Sequence, residues 1–221
     1  MSMKATARAH PIQGLVKYHG MRDPELRFPY HDSISVCTAP TNTTTTVEWF
    51  DDVDAEGGAQ DTYLIDGEEV EGRAAERIAM VVDHVRELAG FDHAVRFESE
   101  NSFPSNIGFG SSSSGFAAAA LALVEAAGLD MSLPEVSTVA RRGSSSAARA
   151  VTGAFSHLYA GLNDEDCRSY RLDSELEDEL RIVAAHVPAY KETEAAHKEA
   201  AESHMFQARV AHIPDQIVEM R

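Results

Sequence analysis

A loop rich in glycine and serine, followed at once by an alanine-rich run, is the part of this sequence best suited to chemistry. Residues 103–120 read FPSNIGFGSSSSGFAAAA. Gly108 and Gly110 allow a tight turn and a close approach of the backbone to a ligand, because neither carries a Cβ atom. Four serine hydroxyls follow directly, at Ser111, Ser112, Ser113 and Ser114. The alanine-rich run favours a helix, and a helix N-terminus suits a phosphate anion, so the segment predicts a cradle for a nucleoside triphosphate.

The pattern of this loop does not match the two best-known phosphate-binding loops. It is not a Walker A loop, because no Lys-Ser or Lys-Thr pair follows the last glycine. It is not a dinucleotide-binding fingerprint, because Ser113 stands where that fingerprint has its third glycine. A serine-rich loop that merely caps a core helix explains the residues equally well, so the rest of the chain must decide.

A second small-residue segment carries an arginine. Residues 143–149 read GSSSAAR, and Arg149 lies among side chains too small to pair with it. A guanidinium offers a planar fork of donors that fits a carboxylate or a phosphate. Earlier in the chain, Lys17 stands beside Tyr18 in a stretch rich in proline, glycine and histidine. Together these features predict one site for ATP phosphates and another for an anionic substrate.

The elements that must hold these segments follow from hydrophobic periodicity and from capping residues. Alternating or β-branched runs predict strands over 4–9, 33–40, 43–50, 61–66, 93–100, 152–159, 168–172 and a buried strand over 180–187. Helical spacing predicts helices over 74–89, after the glycine/serine loop, from Ser132 to Arg142, over 192–210 and again over 214–220. Residues 10–32 are expected to be irregular, and Asp66-Gly67 is a hairpin turn signal.

Composition narrows the class of protein. The 221 residues are 43% hydrophobic, which is enough for one large core. A net charge of −17 repels nucleic acid and anionic membranes, and no apolar run reaches the roughly 18–20 residues of a membrane span. We therefore expect a cytoplasmic protein. Acidic excess with scarce lysine is typical of a salt-loving host, although an ordinary acidic protein is the alternative. The lysines are Lys4, Lys17, Lys191 and Lys198.

Four segments, in the expected order, resemble the phosphomevalonate and diphosphomevalonate decarboxylase family of the GHMP kinase superfamily. KYHG at 17–20 resembles that family's KYWG, and DSISV at 32–36 matches its [SD]SISV strand. Residues 102–115 resemble its N-F-P-x-x-x-G-L-A-S-S-x-x-G loop, and 140–149 resemble A-R-x-G-S-G-S-A-C-R. The likeness covers nearly the whole chain.

This resemblance implies an α+β GHMP kinase fold. A ribosomal protein S5 domain 2-like N-terminal domain would occupy residues 1–178, and a ferredoxin-like C-terminal domain would begin at 179–221. The family's catalytic aspartate lies in a D-A-G-P-N motif that this sequence lacks. The chain is therefore expected to be truncated, to bind poorly and not to turn over by itself. A homodimer is carried over from the family as an expectation.

The resemblance also implies a reaction and roles for residues. ATP would phosphorylate the tertiary 3-hydroxyl of a mevalonate phosphate, and the new phosphate would leave as carbon dioxide departs. ATP with Mg²⁺ would be held by Pro104, Gly108, Gly110, Ser111, Ser112 and Ser113. Ser111 or Ser112 is the candidate metal contact from the protein. The substrate would be held by Lys17, Tyr18, Ser144, Ser146 and Arg149, with Arg149 on the carboxylate and Lys17 and Arg149 as the catalytic residues.

Departures from the family's motifs bear on the substrate. Ile12 replaces an asparagine of the substrate site, and Met21 replaces the second lysine of KYWGK. Residues 191–196 are acidic where some members bind a diphosphate. Fewer cations favour a monophosphate substrate and isopentenyl phosphate as the product, in a haloarchaeal variant of the pathway. The alternatives are a diphosphate substrate, a 3-kinase without decarboxylation, and a non-enzymatic ATP-binding module.

Overall fold

The computed structural model describes residues 3–51, 60–104, 108–184 and 193–221. The strands of this part of the chain are β1 (Lys4–Ala9), β2 (Ile12–Val16), β3 (Met21–Asp23), β4 (Phe28–Pro29), β5 (Ser33–Cys37), β6 (Thr43–Phe50), β7 (Thr62–Ile65), β8 (Glu68–Glu69), β9 (Ala94–Asn101), β10 (Phe155–Leu158) and β11 (Ser169–Leu172). The helices are α1 (Gly72–Ala89), α2 (Ser111–Ala126), α3 (Leu133–Gly143), α4 (Ser145–Thr152), α5 (Thr193–Glu202) and α6 (Phe206–Met220), with a 3-10 turn at Glu175–Glu177.

Two sheets form the framework. The larger has the order β1-β6-β9-β7-β8, in which β7 and β9 run parallel and the other neighbours antiparallel. The smaller is antiparallel, with the order β11-β10-β5-β2, and β3 pairs with β4 separately. In β6 the buried side chains alternate with partly exposed ones, since successive residues of a strand point to opposite faces. This mixed architecture confirms the expected α+β class.

Helix α2 lies at the centre of the molecule. It contacts β1 and β6 on the larger sheet and also packs against α3 and α4. Its alanines at 117–120 are at most 2% exposed, and Trp49 of β6 donates to the Leu123 carbonyl at 3.3 Å. Small side chains let the neighbouring elements approach closely, so the alanine-rich run predicted as a helix is a core helix.

Turns and helix caps were predicted correctly where their backbone conformation or hydrogen bonds require a particular type of residue. Helix α1 ends at Gly90 with a φ of 70°, and Asp66 and Gly67 have φ of 53° and 81° in the β7–β8 hairpin. Ser132 and Glu135 form the capping box that opens α3. These predicted boundaries are confirmed.

Three expectations were wrong. Residues 10–32, expected to be irregular, contain β2, β3 and β4, and the register shift between Gly14 and Val16 disguises the alternation of β2. The buried strand over 180–187 is absent from its described part, where residues 180–184 have no regular structure and Val183 is 94% exposed; residues 185–187 lie outside the described residues. The helix over 192–210 is instead two helices, α5 and α6, and α6 continues through Pro214.

Candidate active site

The glycine/serine loop leads directly into the N-terminus of α2. Gly108 and Gly110 both have a φ of 83°, a backbone conformation that favours glycine, and Gly110 is the residue before the helix. No side chain caps this end of the helix. The hydroxyls of Ser111 and Ser112 form no hydrogen bond within the part of the chain that the structure describes. The first N–H groups of a helix have no intrahelical acceptor, so this end can receive an anion.

The next hydroxyls of α2 have a structural role. Ser113 is 1% exposed, and its Oγ donates to the Gly110 carbonyl at 2.6 Å while accepting from the Ile12 amide at 3.2 Å. Ser114 lies 2.6 Å from the hydroxyl of Thr43 on β6. In the structure the Ser113 hydroxyl fastens the loop to β2, and the contact of Ser113 with ATP stays a prediction. Pro104, which precedes the loop in sequence, is exposed.

The second small-residue segment turns sharply from α3 into α4. Ser144 lies between the two helices with extended backbone, and its Oγ is 2.9 Å from the Oγ of Ser146. Ser145 donates to the Arg27 carbonyl at 2.7 Å. Gly143 packs so tightly on Phe116 of α2 that a Cβ atom there would lie 2.1 Å from the ring. The two glycine/serine segments are therefore held together by direct packing.

Arg149 of α4 is a buried cation that pairs with no carboxylate among the described residues. It is 2% exposed, and its Nε and Nη1 have no hydrogen-bond partner among the described residues. Its guanidinium carbon lies 5.4 Å from the centre of the Tyr18 ring. Burial lowers the pKa of Arg149 to about 10, and Tyr18 acts in the opposite direction. An unpaired buried charge is costly, so a bound anion is the expected partner.

Arg141 shows what a structural buried arginine looks like in the same protein. Its side chain is fully buried, and it donates to the Cys167 carbonyl at 3.1 Å, to the Leu26 carbonyl and to the Asp164 carboxylate. Arg142 binds the other oxygen of Asp164. Both arginines are therefore paired within the protein, and the contrast makes the two unpartnered nitrogens of Arg149 informative.

The segment with Lys17 and Tyr18 follows β2 and is held by the last two helices. Lys17 is exposed, and its carbonyl accepts from Arg209 of α6 at 2.9 Å. The Tyr18 ring stacks on His197 of α5, with ring centres 5.1 Å apart, and His197 accepts from the Gly20 amide at 3.2 Å. The structure thus brings Tyr18 and Arg149 together. Lys17 directly follows β2, whose first residue Ile12 is where Ser113 anchors the glycine/serine loop.

One further arginine beside the second small-residue segment, Arg77, was missed from the sequence. Arg77 of α1 donates through Nε (3.2 Å) and Nη2 to the Gly143 carbonyl, and its guanidinium lies 4.8 Å from the centre of the Phe116 ring. Burial, then the charges of Arg27 and Arg73, lower the pKa of Arg77 to about 10. Burial also lowers the pKa of Arg27; Tyr18 acts in the opposite direction, and the charge of Arg73 lowers the pKa further.

One signal for Arg77 was available. Arg73 and Arg77 are four residues apart and so share a face of α1. The argument that fewer cations surround the phosphoryl end of the substrate, made from Met21 and residues 191–196, stays a prediction.

The described residues contain neither a cluster of metal ligands nor a membrane-spanning helix. No group of three or more histidine, cysteine, aspartate or glutamate side chains is placed to hold a metal ion within residues 3–51, 60–104, 108–184 and 193–221. In those same ranges, no helix has the length and apolar character needed to cross a membrane.

Comparisons with known proteins agree with this geometry. The family model described as diphosphomevalonate decarboxylase-like N-terminal domain matches residues 9–169. A phosphomevalonate decarboxylase of Haloferax volcanii is 77% identical over 219 residues, covering 99% of this chain and 66% of that protein. A crystal structure of mevalonate diphosphate decarboxylase from Staphylococcus aureus aligns with a TM-score of 0.85 at 31% identity, covering 99% of this chain and 66% of that one.

A third relative was solved with ligands. It is the complex of MDDEF with MVAPP, AMPPCP and magnesium, which aligns with a TM-score of 0.82 at 26% identity and covers 97% of this chain and 66% of that chain. The present chain thus spans about two thirds of the length of each of these relatives.

Proposed function

We propose, since the chain belongs to the diphosphomevalonate decarboxylase-like family, that it acts in the ATP-dependent decarboxylation of mevalonate 5-phosphate to isopentenyl phosphate. The observation that carries this proposal is Arg149, buried beside Tyr18 with two donor nitrogens that have no partner among the described residues. The choice of the monophosphate is supported by the phosphomevalonate decarboxylase of Haloferax volcanii, which is 77% identical to this chain.

The glycine/serine loop is proposed to hold ATP. Gly108, Gly110, Ser111 and Ser112 offer open backbone around the N-terminus of α2, and a Cβ at Gly108 would meet nothing within 4 Å. Pro104 precedes this turn, and Ser113 fixes its shape. Mg²⁺ would neutralise charge on the phosphates, which is the main requirement of phosphoryl transfer. The free hydroxyl of Ser111 or Ser112 is the protein's candidate oxygen for the ion.

The segment around α4 is proposed to hold the substrate. Lys17, Tyr18, Ser144 and Ser146 would bind its phosphoryl end, and Arg149 would bind the carboxylate that is lost. Loss of carbon dioxide breaks a carbon–carbon bond, and its electron pair forms the new double bond as phosphate leaves. Arg149 would hold the carboxylate in the alignment that this step needs, and Lys17 and Arg149 are the proposed catalytic residues.

The remaining features are proposals of the same kind. Residues 1–178 would form the nucleotide-binding domain and 179–221 would begin a second one, in keeping with the family match over 9–169. The charge of −17 and the Haloferax relative support a salt-loving, cytoplasmic origin. A homodimer stays a prediction.

A single assay separates the proposed activity from its alternatives. Because the chain by itself is expected not to turn over, it is joined to the remaining third of its Haloferax volcanii relative. This protein is incubated with ATP, Mg²⁺ and carboxyl-labelled mevalonate 5-phosphate or mevalonate 5-diphosphate at high KCl concentration, and ADP and labelled carbon dioxide are measured. We expect equal amounts of both products, with the monophosphate preferred. A strong preference for the diphosphate would refute the substrate assignment. ADP without carbon dioxide would indicate a 3-kinase, and ATP binding without turnover would indicate a binding module.

The control variant for this assay is Arg96→Met. Arg96 is exposed on β9, so its replacement changes the net charge as Arg149→Met does, away from the site. Arg149→Met should abolish carbon dioxide release, while Arg96→Met should retain it. Equal activity of the two variants would contradict the role of Arg149.

A further inference from the structure

We infer that Ser156 of β10 is a positioning residue, which sets the place of the Arg149 guanidinium through a hydrogen bond to the Arg149 carbonyl. The inference rests on the proposed function, in which Arg149 binds the carboxylate of the substrate. Ser156 contacts neither substrate nor ATP in that proposal, and it lies outside the four segments through which the sequence resembles its family.

The smaller sheet turns a row of buried serines toward α4. Ser35 of β5 lies opposite Ser156 of β10. Leu158 of β10 lies opposite Ser33 on one side and Ser169 of β11 on the other. Opposed residues of antiparallel strands share a face of the sheet, as do residues two apart along one strand. All four serines on this face are 0% exposed, and their small side chains let α4 contact β5, β10 and β11.

Ser156 is bonded to α4 at Arg149 itself. Its Oγ donates to the Arg149 carbonyl at 3.1 Å. The Oγ of Ser35 lies 3.3 Å from that of Ser156. A hydroxyl has one hydrogen to donate, so Ser35 must donate to Ser156 while Ser156 donates to the carbonyl. Two buried hydroxyls therefore form a chain from β5 through β10 to Arg149, in which each bond polarises the next.

The other described donors to this carbonyl come from the end of α4. They are the Gly153 amide at 3.2 Å and the Thr152 hydroxyl at 3.3 Å. Thr152 also lies 2.9 Å from the Oγ of Ser169, so its single hydrogen has a closer acceptor. Thr152 is the last residue of α4 and Gly153 follows it, so both donors move with the helix. Among the described donors, Ser156 therefore ties the carbonyl to the sheet.

The guanidinium of Arg149 depends on this support, because its own nitrogens supply little. Its Nε and Nη1 have no hydrogen-bond partner among the described residues, whereas Arg141 is held through all three of its nitrogens. A side chain without such anchors takes its place from its backbone. A misplacement of about 1 Å at a reacting group can cost about hundredfold in rate, so a bond that fixes the Arg149 backbone bears on catalysis.

Three variants separate positioning from packing. Ser35→Ala, Ser156→Ala and the double variant are made in the protein of the decarboxylation assay, the chain joined to the remaining third of its Haloferax volcanii relative. Ser156→Ala removes the bond to Arg149 and leaves the Ser35 hydroxyl buried without its acceptor, so it should lower both stability and kcat. Ser35→Ala keeps the bond to Arg149 and is the matched control. The double variant strands no hydroxyl and should recover much of the stability, but not kcat.

The expected rates distinguish the two roles of the serine. The kcat for carbon dioxide release should fall about tenfold or more in Ser156→Ala and in the double variant. Ser35→Ala should keep kcat within about twofold of the unmodified protein, and the KM for ATP should change by less than about twofold in all three variants. A kcat that recovers together with stability in the double variant would overturn the inference. An equal loss of kcat in Ser35→Ala and Ser156→Ala would do the same.

The position of Arg149 is also measured without turnover, by NMR of the isotopically labelled chain. The Nε–H signal of Arg149 is the one that disappears from the spectrum of Arg149→Met. It should shift in Ser156→Ala and in the double variant, and it should stay in place in Ser35→Ala. An Arg149 signal that is unchanged in Ser156→Ala would overturn the inference.

The two proposals fail separately. Carbon dioxide release that is as fast in Ser156→Ala as in the unmodified protein would leave the decarboxylase standing and remove the role of Ser156. A shifted Arg149 signal, in a protein that releases no carbon dioxide, would leave Ser156 as the residue that positions Arg149 and remove the decarboxylase.

Discussion

Replacement of Gly143 by alanine should destabilise the protein, although alanine is the better helix former. Gly143 is the last residue of α3, and a Cβ atom there would lie 2.1, 2.4 and 2.6 Å from three atoms of the Phe116 ring. The ring has the Arg77 guanidinium 4.8 Å from its centre, and Arg77 is itself fixed to the Gly143 carbonyl. The ring cannot move without disturbing that contact.

The size of the effect follows from two opposing terms. Alanine in place of glycine within a helix gains up to about 1 kcal/mol. Forcing a methyl group into a packed core costs about 1–3 kcal/mol, and three ring atoms within contact distance place this site in the upper half of that range. The net loss is therefore about 1–2 kcal/mol in the free energy of unfolding. For a protein of this size, that corresponds to a fall of about 3–6 °C in melting temperature.

Gly115→Ala is the matched control. Gly115 lies within α2, and a Cβ atom there would meet nothing within 4 Å. Its replacement should therefore raise the free energy of unfolding by up to about 1 kcal/mol. Denaturant unfolding of both variants at one KCl concentration should give opposite signs. A Gly143→Ala protein as stable as Gly115→Ala would refute the steric argument.

A double variant identifies the clash itself. Phe116→Leu removes the ring atoms that the new methyl group would meet, so Gly143→Ala should cost less in that background than alone. A coupling free energy of about 1 kcal/mol or more is expected. Additive effects would show that the destabilisation arises elsewhere.

Three further predictions concern the site and its surroundings. Arg149→Met should lower carbon dioxide release at least about hundredfold while leaving the unfolding free energy unchanged or raised, because it removes a buried unpaired charge; a large loss of stability would contradict this. Gly110→Ala should lower ATP affinity and cost about 1–2 kcal/mol of stability, because its φ is 83° and its Cβ would lie 3.0 Å from the Ser113 hydroxyl; calorimetry and denaturant unfolding check both. Burial lowers the pKa of His31 in the folded protein. The stability linked to neutral His31 is therefore fully present above pH about 6.5, the pKa in the unfolded chain, and is lost as pH falls through the folded pKa. The free energy of unfolding should change by no more than about 1.4 kcal/mol per pH unit in this window. His31→Gln should flatten the pH dependence of unfolding in that window, and an unchanged slope would contradict the assignment.

Elements that depend on neighbouring residues were determined by the sequence. β1 and β6 have the predicted bounds, because alternation along one strand is enough to define a buried face. The start of α3 and the end of α1 were also predictable, since caps require particular residues at particular places. The two glycine/serine segments were recognised for the same reason: a backbone that must come close to a ligand restricts the residue types that can form it.

Elements that depend on distant partners were not determined in this way. The apolar run at 180–184 resembles a buried strand, but in the structure it pairs with no sheet and lies exposed. β2 was hidden because its register shift after Gly14 is set by pairing with β5. An apolar run or a broken alternation indicates a strand only when another strand is available to pair with it.

The residues of the candidate site also fall into these two groups, those recognised from local motifs and those positioned by distant parts of the chain. Its loops, Lys17, Tyr18 and Arg149 were identified from the sequence, because their motifs are local. The position of the Arg77 guanidinium at the Gly143 carbonyl was decided by the tertiary structure, in which α1 packs against α3. Electrostatic interaction depends on distance in space, so only the packing could show that the charge of Arg77 lies at this turn.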